Sequence, residues 1–392
     1  MSAGLRRRLI DLACHALQAT LPEALQSWGW AVRCEADAIP DDTKALLFTL
    51  DSLCGLMPRA IASHLFQPFS ALVGNNSPLS QGSTIMKILD AATARPRTLG
   101  LICAICSVAL GLAYMAVAGA PMRYLGVNMG ALAIGLTMLA LLGRIGATAR
   151  QWADGANIAM AGALLATALF GSQVDGAARW VSLGGLAIQP SLILLPMMLV
   201  AFSKIRSVPM TASIVAAALA MALQPDRAMA GMLISCLSAL ALIRPDRHVG
   251  VALAAGFASF AATLLRADHL PAVPYVDQIL YSSFAIHAVA GLMVLAGVGL
   301  LLVPAIAGWS RDADNRAPYA AFGAVWFAAI MAAALGNYPT PIVGYGGSAI
   351  IGYALSLLML PKLSGAHAEA DRNMRRLTNG SPSNRHLFVA LT

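Results

Sequence analysis

The sequence predicts an all-α polytopic membrane protein: a bundle of about ten transmembrane helices after a small helical cytoplasmic N-terminal region. Three observations predict the fold class. Of the 392 residues, 58% are apolar and 11% charged, against about 45–50% and about 25% in an average soluble domain. That leaves too little polar surface to cover a water-soluble fold and excludes a soluble enzyme. From Thr98 to Leu360 there are 12 Lys/Arg, 8 Asp and no Glu in 263 residues. Within that stretch, the apolar runs approach the roughly 20 residues that a helix needs to cross a bilayer.

Residues 1–97 differ from the rest, with 9 Lys/Arg, 8 acids and no apolar run of membrane length. Arg6, Arg7 and Arg8 are not followed by an apolar stretch with a cleavage site, so the sequence predicts no signal peptide. Leu9 to Leu25 and Thr43 to Phe66 repeat apolar residues at three and four, as amphipathic helices do. Asn75, Asn76, Ser77 and Pro78 read as a loop. The region reads as a helical cytoplasmic head or a pair of membrane-surface helices.

The expected spans cover 98–119, 124–143, 155–172, 186–202, 208–223, 228–243, 248–265, 279–307, 318–336 and 345–360. Pro196, Pro209 and Pro304 are the positions where these helices should kink or break. A basic tail, 361–392, is expected to be cytoplasmic and disordered. With the N-terminus inside, 22 Lys/Arg fall in cytoplasmic segments and 4 outside, and the ratio is still 13 to 4 without the head. The excess of cytoplasmic cations puts both termini in the cytoplasm of a cytoplasmic (inner) membrane protein. The net charge of +8 has the same origin. No basic run is interleaved with aromatics, so nucleic acid is not an expected partner.

The cysteines at 14, 34, 54, 103, 106 and 236 form no disulfide framework. Cys103 and Cys106 lie in the first span without His or carboxylate neighbours and read as packing residues. Charged side chains inside spans usually mark ion or proton paths. The span centres here hold none, and His287 is the nearest titratable group. It reads as a hydrogen-bonded packing residue, and a proton-coupled transporter is disfavoured.

Polar groups gather instead in four outer loops. The first runs Asp175-Gly176-Ala177-Ala178-Arg179-Trp180 and on to Gln189-Pro190-Ser191. The second is Gln224-Pro225-Asp226-Arg227. The third runs from Arg266 to Gln278, with Asp268, His269 and Asp277. The fourth runs from Pro339 to Tyr345-Gly346-Gly347-Ser348.

In order and content these loops resemble the SEDS family (shape, elongation, division and sporulation; the FtsW, RodA and SpoVE group). The Gly-Ala-x-Arg-Trp and Gln-Pro-Ser stretch, the Gln-Pro-Asp turn and the Tyr-Gly-Gly-Ser loop are similar to that family's signatures, over roughly Thr98 to Leu360. The resemblance implies a peptidoglycan glycosyltransferase of cell division or cell-shape maintenance. Its substrate would be lipid II, the undecaprenyl-linked cell-wall precursor, polymerised at the outer face of the membrane. Its partner would be a class B penicillin-binding transpeptidase. The family's essential Asp corresponds to Asp277.

The chemistry of the residues agrees with these implied roles. A carboxylate at the lipid–water boundary is partly desolvated, which raises its pKa toward that of a useful base. Arg179 can pair with phosphate oxygens. Gly346 and Gly347 allow close backbone approach, and bare N–H groups there can bind an anion. Trp180, Gln189, Tyr345 and Ser348 complete the expected substrate-binding set. Bland readings stand beside each of these. Asp277 also reads as a solvated loop acid, Arg179 and Trp180 as an interfacial anchor, Ser348 as a helix cap, and Asp226 with Arg227 as a surface ion pair. A divalent cation is compatible with a pyrophosphate donor, but no Asp/His cluster specifies a site for one.

Departures from the family pattern open a second reading. The family's Glu and Lys on entering span four are Leu192 and Leu195 here. Replacing both members of a buried pair by apolar residues can be neutral for folding, yet it removes polar groups from a cavity. The loop before Asp277 is short, and Tyr275-Val276 replaces the family's His-Thr. These features also suit a non-catalytic membrane scaffold that binds a lipid-linked precursor or a transpeptidase.

Overall fold

The computed structural model describes residues 3–21, 26–53, 56, 95–144, 149–174, 177–266 and 271–362. The expected loop at Asn75 to Pro78, the residues Asp175, Asp268 and His269, and nearly all of the expected disordered tail lie outside the described residues. The chain divides into two compact units, Met1–Ala92 and Thr93–Thr392.

In the first unit, α1 (Ala3–Thr20) and α2 (Gln26–Ala38) are followed by a helical stretch over 42–53. The periodicity of α1 buries Ile10, Cys14 and Leu17, which pack with Val32 and Ala36 of α2 and with Ala45. Arg7 pairs with Asp42 at 2.6 Å.

The second unit is a helical membrane bundle with one small sheet. Its first three helices are α3 (Pro96–Val117), α4 (Met122–Arg144) and α5 (Ala149–Phe170). A small sheet follows, then α6 (Pro190–Lys204), α7 (Val208–Leu223), α8 (Arg227–Ile243) and α9 (Arg247–Leu264). The chain continues through α10 (Ile279–Ile286), α11 (Ala288–Leu300), α12 (Val303–Arg311), α13 (Arg316–Leu335) and α14 (Gly347–Ser356). Among the described residues, six segments are long and apolar enough to cross a membrane, and α6, α7, α8 and α14 are shorter apolar helices. Each of the ten expected spans thus coincides with an apolar helical segment, four of them short.

The core lies where α6, α8, α13 and α14 meet. Leu195, Met198, Leu199 and Phe202 pack with Met232, Leu233, Cys236 and Leu237, and with Phe322, Trp326 and Tyr353. Between apolar helices, close backbone approach through small residues drives association. Gly352 shows this best: a Cβ there would lie 2.0 Å from the Leu192 carbonyl oxygen.

Three expectations need correction. The fourth span was expected from 186, but α6 begins at Pro190. Strands β1 (Ser172–Val174), β2 (Ala177–Leu183) and β3 (Leu186–Ile188) form an antiparallel sheet in what was read as loop. Gly184 and Gly185 both have positive φ, at 57° and 77°, and make the two-residue turn between β2 and β3. The eighth span was expected from 279, yet the membrane-length segment is Ala288–Arg311, and α10 is a separate short helix. Between them His287 is extended, and its Nδ1 accepts from Val289 N–H as the N-cap of α11. His287 is therefore an exposed cap rather than a packed span residue. Of the prolines, Pro304 follows the break at Leu301–Leu302 and Pro209 sits in the first turn of α7, whereas α6 continues through Pro196.

At one end of the bundle, polar contacts tie helix ends together. Arg97 donates to the carbonyls of Leu358 and Leu360, and Arg206 pairs with Asp246, the N-cap of α9. Ser207 caps α7 and donates to Asp154. The loops described next lie at the opposite end.

Candidate functional site

The four polar loops singled out from the sequence meet at this second end, in two adjoining networks. The first is built on the turn between α7 and α8. Asp226 is the N-cap of α8, 1% exposed, and its Oδ1 accepts from Met229 N–H at 3.2 Å. Its Oδ2 accepts from Gln189 Nε2 at 3.0 Å and from Ser191 Oγ at 3.2 Å. Ser348 Oγ accepts from Gln189 N–H at 3.0 Å. Arg179, buried on β2, donates to the Pro225 carbonyl at 2.5 Å. Trp180 follows it on β2, paired across the sheet with Ser172.

Two bland readings fail here. Asp226 and Arg227 are not a surface ion pair: Asp226 faces Gln189 and Ser191, while Arg227 donates to the carbonyls of Thr263 and Arg266 at the end of α9. Neighbours on a helix end point apart, and the buried carboxylate takes the donors that reach it. Ser348 is not a cap either, because Gly346 occupies the N-cap position of α14 and Ser348 serves the Gln189 backbone.

The second network surrounds Asp277, where the loop before α10 pairs with the loop before α14. Asp277 and Pro339 form an isolated antiparallel bridge. Thr340 N–H donates to the Val276 carbonyl at 2.9 Å, and Tyr345 N–H to the Tyr275 carbonyl at 2.6 Å. Thr340, Ile342 and Val343 are buried. A Cβ on Gly111 of α3 would lie 2.5 Å from the Val343 carbonyl oxygen, and one on Gly297 of α11 would lie 2.4 Å from the Val343 side chain. Gly111 lies six residues before the end of α3, so the loop dips about 9 Å into the bundle at 1.5 Å per residue. Non-helical backbone at that depth is tolerated because it is enclosed by protein.

Asp277 is 9% exposed, and its Oδ2 accepts from Val273 N–H at 2.9 Å. Burial pushes the carboxyl above the ordinary aspartate range, and the Val273 hydrogen bond offsets only part of that rise. Asp277 is therefore not a freely solvated loop acid. The flanking backbone is held out of its preferred regions: Tyr275, Gln278 and Ile342 have φ of 64°, 56° and 68°. Each such residue costs of order 1–3 kcal/mol and persists where surrounding contacts over-determine it, a pattern that collects at functional sites.

Tyr345 stacks on Tyr124 at a centroid distance of 3.9 Å, and Tyr275 meets Tyr124 edge-on at 6.2 Å. The Gly346 N–H, expected to be bare, donates to Asn128 Oδ1 at 3.1 Å. An anion reaching Gly346 and Gly347 would first have to displace that bond. Ser348 belongs to the first network and Tyr345 to the second, so residues 345–348 join the two. Asn128 and Tyr124 were not anticipated from the sequence. Asn128 carried a signal, as a polar amide inside an otherwise apolar helix. Tyr124 carried none.

Leu192 and Leu195 are buried in the apolar core. Among the described residues, no group of three His, Cys, Asp or Glu side chains is placed to hold a metal ion.

No family model matches the chain, and no curated protein does. Among solved structures, the chain is similar to the Rod shape determining protein RodA of Thermus thermophilus, at 23% identity and a TM-score of 0.48, covering 66% of this chain and 94% of that one. A mutant of the same protein gives 22% identity, a TM-score of 0.48 and the same coverage.

Proposed function

We propose that the chain is a divergent SEDS-type glycosyltransferase that polymerises lipid II at the outer face of the bacterial cytoplasmic membrane, with a role in cell shape or division. The observation that carries this reading is the convergence of the resembling segments. Residues 179, 189, 226, 277 and 345–348 come from loops spread over 170 residues of sequence, and hydrogen bonds gather them into two adjoining networks. Within the second network stands Asp277, a buried carboxylate whose pKa burial raises.

In this reading Asp277 accepts the proton of the acceptor sugar hydroxyl. The oxygen attacks the anomeric carbon of the donor, the bond from that carbon to the pyrophosphate oxygen breaks, and the lipid pyrophosphate leaves. Arg179 and the Tyr345–Ser348 turn line the donor side, with Trp180 and Gln189 supporting them. Positive residues concentrate at the end opposite this site, which supports a cytoplasmic placement for that end and for both termini. A class B penicillin-binding transpeptidase is the expected partner, and residues 1–97 the cytoplasmic head.

The test is polymerisation of lipid II by the purified protein in liposomes, with and without a transpeptidase, beside Asp277→Ala. Glycan chains that disappear in the variant while the protein stays monodisperse support the assignment. Polymer that persists in the variant overturns it. The buried Leu192 and Leu195 favour a second reading, a non-catalytic scaffold that binds a lipid-linked precursor or the transpeptidase. Lipid II binding without product under either condition would favour that reading.

A further inference from the structure

Asn128 lies on α4, one turn after Tyr124, and is 1% exposed. A carboxamide buried in an apolar helix must find partners for its donor and its acceptor. Here both are spent on one turn of the loop before α14. Asn128 Nδ2 donates to the Gly344 carbonyl at 2.8 Å, and Oδ1 accepts from Gly346 N–H at 3.1 Å. One side chain thus clamps the backbone on both sides of Tyr345.

Tyr345 is the residue whose N–H holds the Tyr275 carbonyl, and Thr340, four residues before Gly344, holds the Val276 carbonyl. The chain of contacts runs from α4 through the 344–346 turn to the backbone two residues from Asp277. Tyr124 reinforces it by touching both Tyr345 and Tyr275. Gly344 leaves the turn little slack, since a Cβ there would lie 2.5 Å from Ile279 Cδ1 and 3.1 Å from the Tyr275 carbonyl oxygen.

We infer that Asn128 is a positioning residue for Asp277: it fixes the 344–346 turn against α4, and that turn fixes the strained 275–277 segment that carries the carboxylate. The inference rests on the reading of Asp277 as the base. Its mechanical part does not, so the two can be tested apart.

The experiment is amide hydrogen exchange, followed by mass spectrometry on the full chain in lipid nanodiscs, with lipid II polymerisation run on the same samples. In Asn128→Ala, exchange at 339–346 and at 275–277 should rise together by about tenfold, the size of effect expected for a lost buried hydrogen bond. Exchange within 349–355 of α14 should not change. The neutral Asn128→Ser keeps a small hydrogen-bonding group but cannot span Gly344 and Gly346 together, and should fall between wild type and Asn128→Ala. In polymerisation, kcat should drop by up to about a hundredfold, the scale of a misplaced catalytic group, with KM for lipid II little changed.

Exchange that rises at 339–346 while 275–277 stays protected would overturn the inference. So would a global loss of protection in both variants, because Asn128 would then hold the bundle and not the loop. If wild type makes no polymer, the catalytic reading fails, while coupled exchange still establishes the clamp.

Discussion

Asp277 is shaped by its surroundings more than by its own chemistry. It sits at 9% exposure and accepts a hydrogen bond from the Val273 backbone, and burial holds its carboxyl above the ordinary range. A base must be ionised to act, so the acid limb of the polymerisation pH profile should have its midpoint above the usual aspartate value of about 3.9. The sign for stability runs the other way. A carboxyl whose folded pKa is raised favours folding while protonated, and that contribution is lost as pH rises through the folded value. Asp277→Asn should therefore abolish polymerisation yet melt no lower than wild type at neutral pH in detergent. A clear fall in melting temperature would mean that the ionised carboxylate is structural. Gly344→Ala tests the same spot through shape. Its Cβ would press on Ile279 and on two carbonyl oxygens, and the cost should be about 1–3 kcal/mol, read as a lower melting temperature.

At the scale of elements, the loop from 339 to 348 organises the site by re-entering the bundle between α3 and α11 and pairing with the segment before α10. Much of this was legible in the sequence as place, and little of it as contact. Apolar runs separated by charged or proline-containing turns put an apolar helix under each of the ten expected spans, because a membrane helix must be apolar along its length. The sheet over 172–188 was missed because a three-residue strand has too few alternations to stand out beside long apolar runs, although Gly184 and Gly185 marked its turn. The break at His287 was hidden because apolar composition continues on both sides of it. The partners of Asp226 and the clamp from Asn128 depend on contacts between residues 35 to 218 positions apart, which no local pattern contains. The paired Leu192 and Leu195 yield a prediction of their own. Leu192→Glu alone strands a charge in the core and should cost about 3–5 kcal/mol. Adding Leu195→Lys should restore part of that loss in a double-mutant cycle of thermal stability.

For the whole molecule, the proposed reading puts the Asp277 end outside and the end that holds Arg97 and Arg206 inside. In a cysteine-free background, a cysteine at Gly184 should react with a membrane-impermeant maleimide in intact cells, and one at Lys362 should react only after permeabilisation. The reverse pattern would invert the topology and remove the site from the face where lipid II is polymerised. The inner end has its own acid sensitivity. Burial alone would raise the Asp246 carboxyl, but hydrogen bonds from Val249 N–H and Arg206 outweigh it and hold the group below its usual range. That contribution is present above the unfolded pKa of about 3.9 and is lost as pH falls through the folded value. Asp246→Ala should thus cost about 1 kcal/mol at neutral pH, the size of a lost cap, and less in strong acid.

The central claim is the proposed one, that Asp277, buried in the loop before α10, is the base of a lipid II polymerase. The most direct measurement is the length distribution of glycan formed from lipid II by the reconstituted wild type and by Asp277→Asn, each with and without a class B transpeptidase. The account predicts polymer from wild type and none from the variant under either condition. Equal polymer from both proteins, or none from wild type that binds lipid II normally, would contradict it.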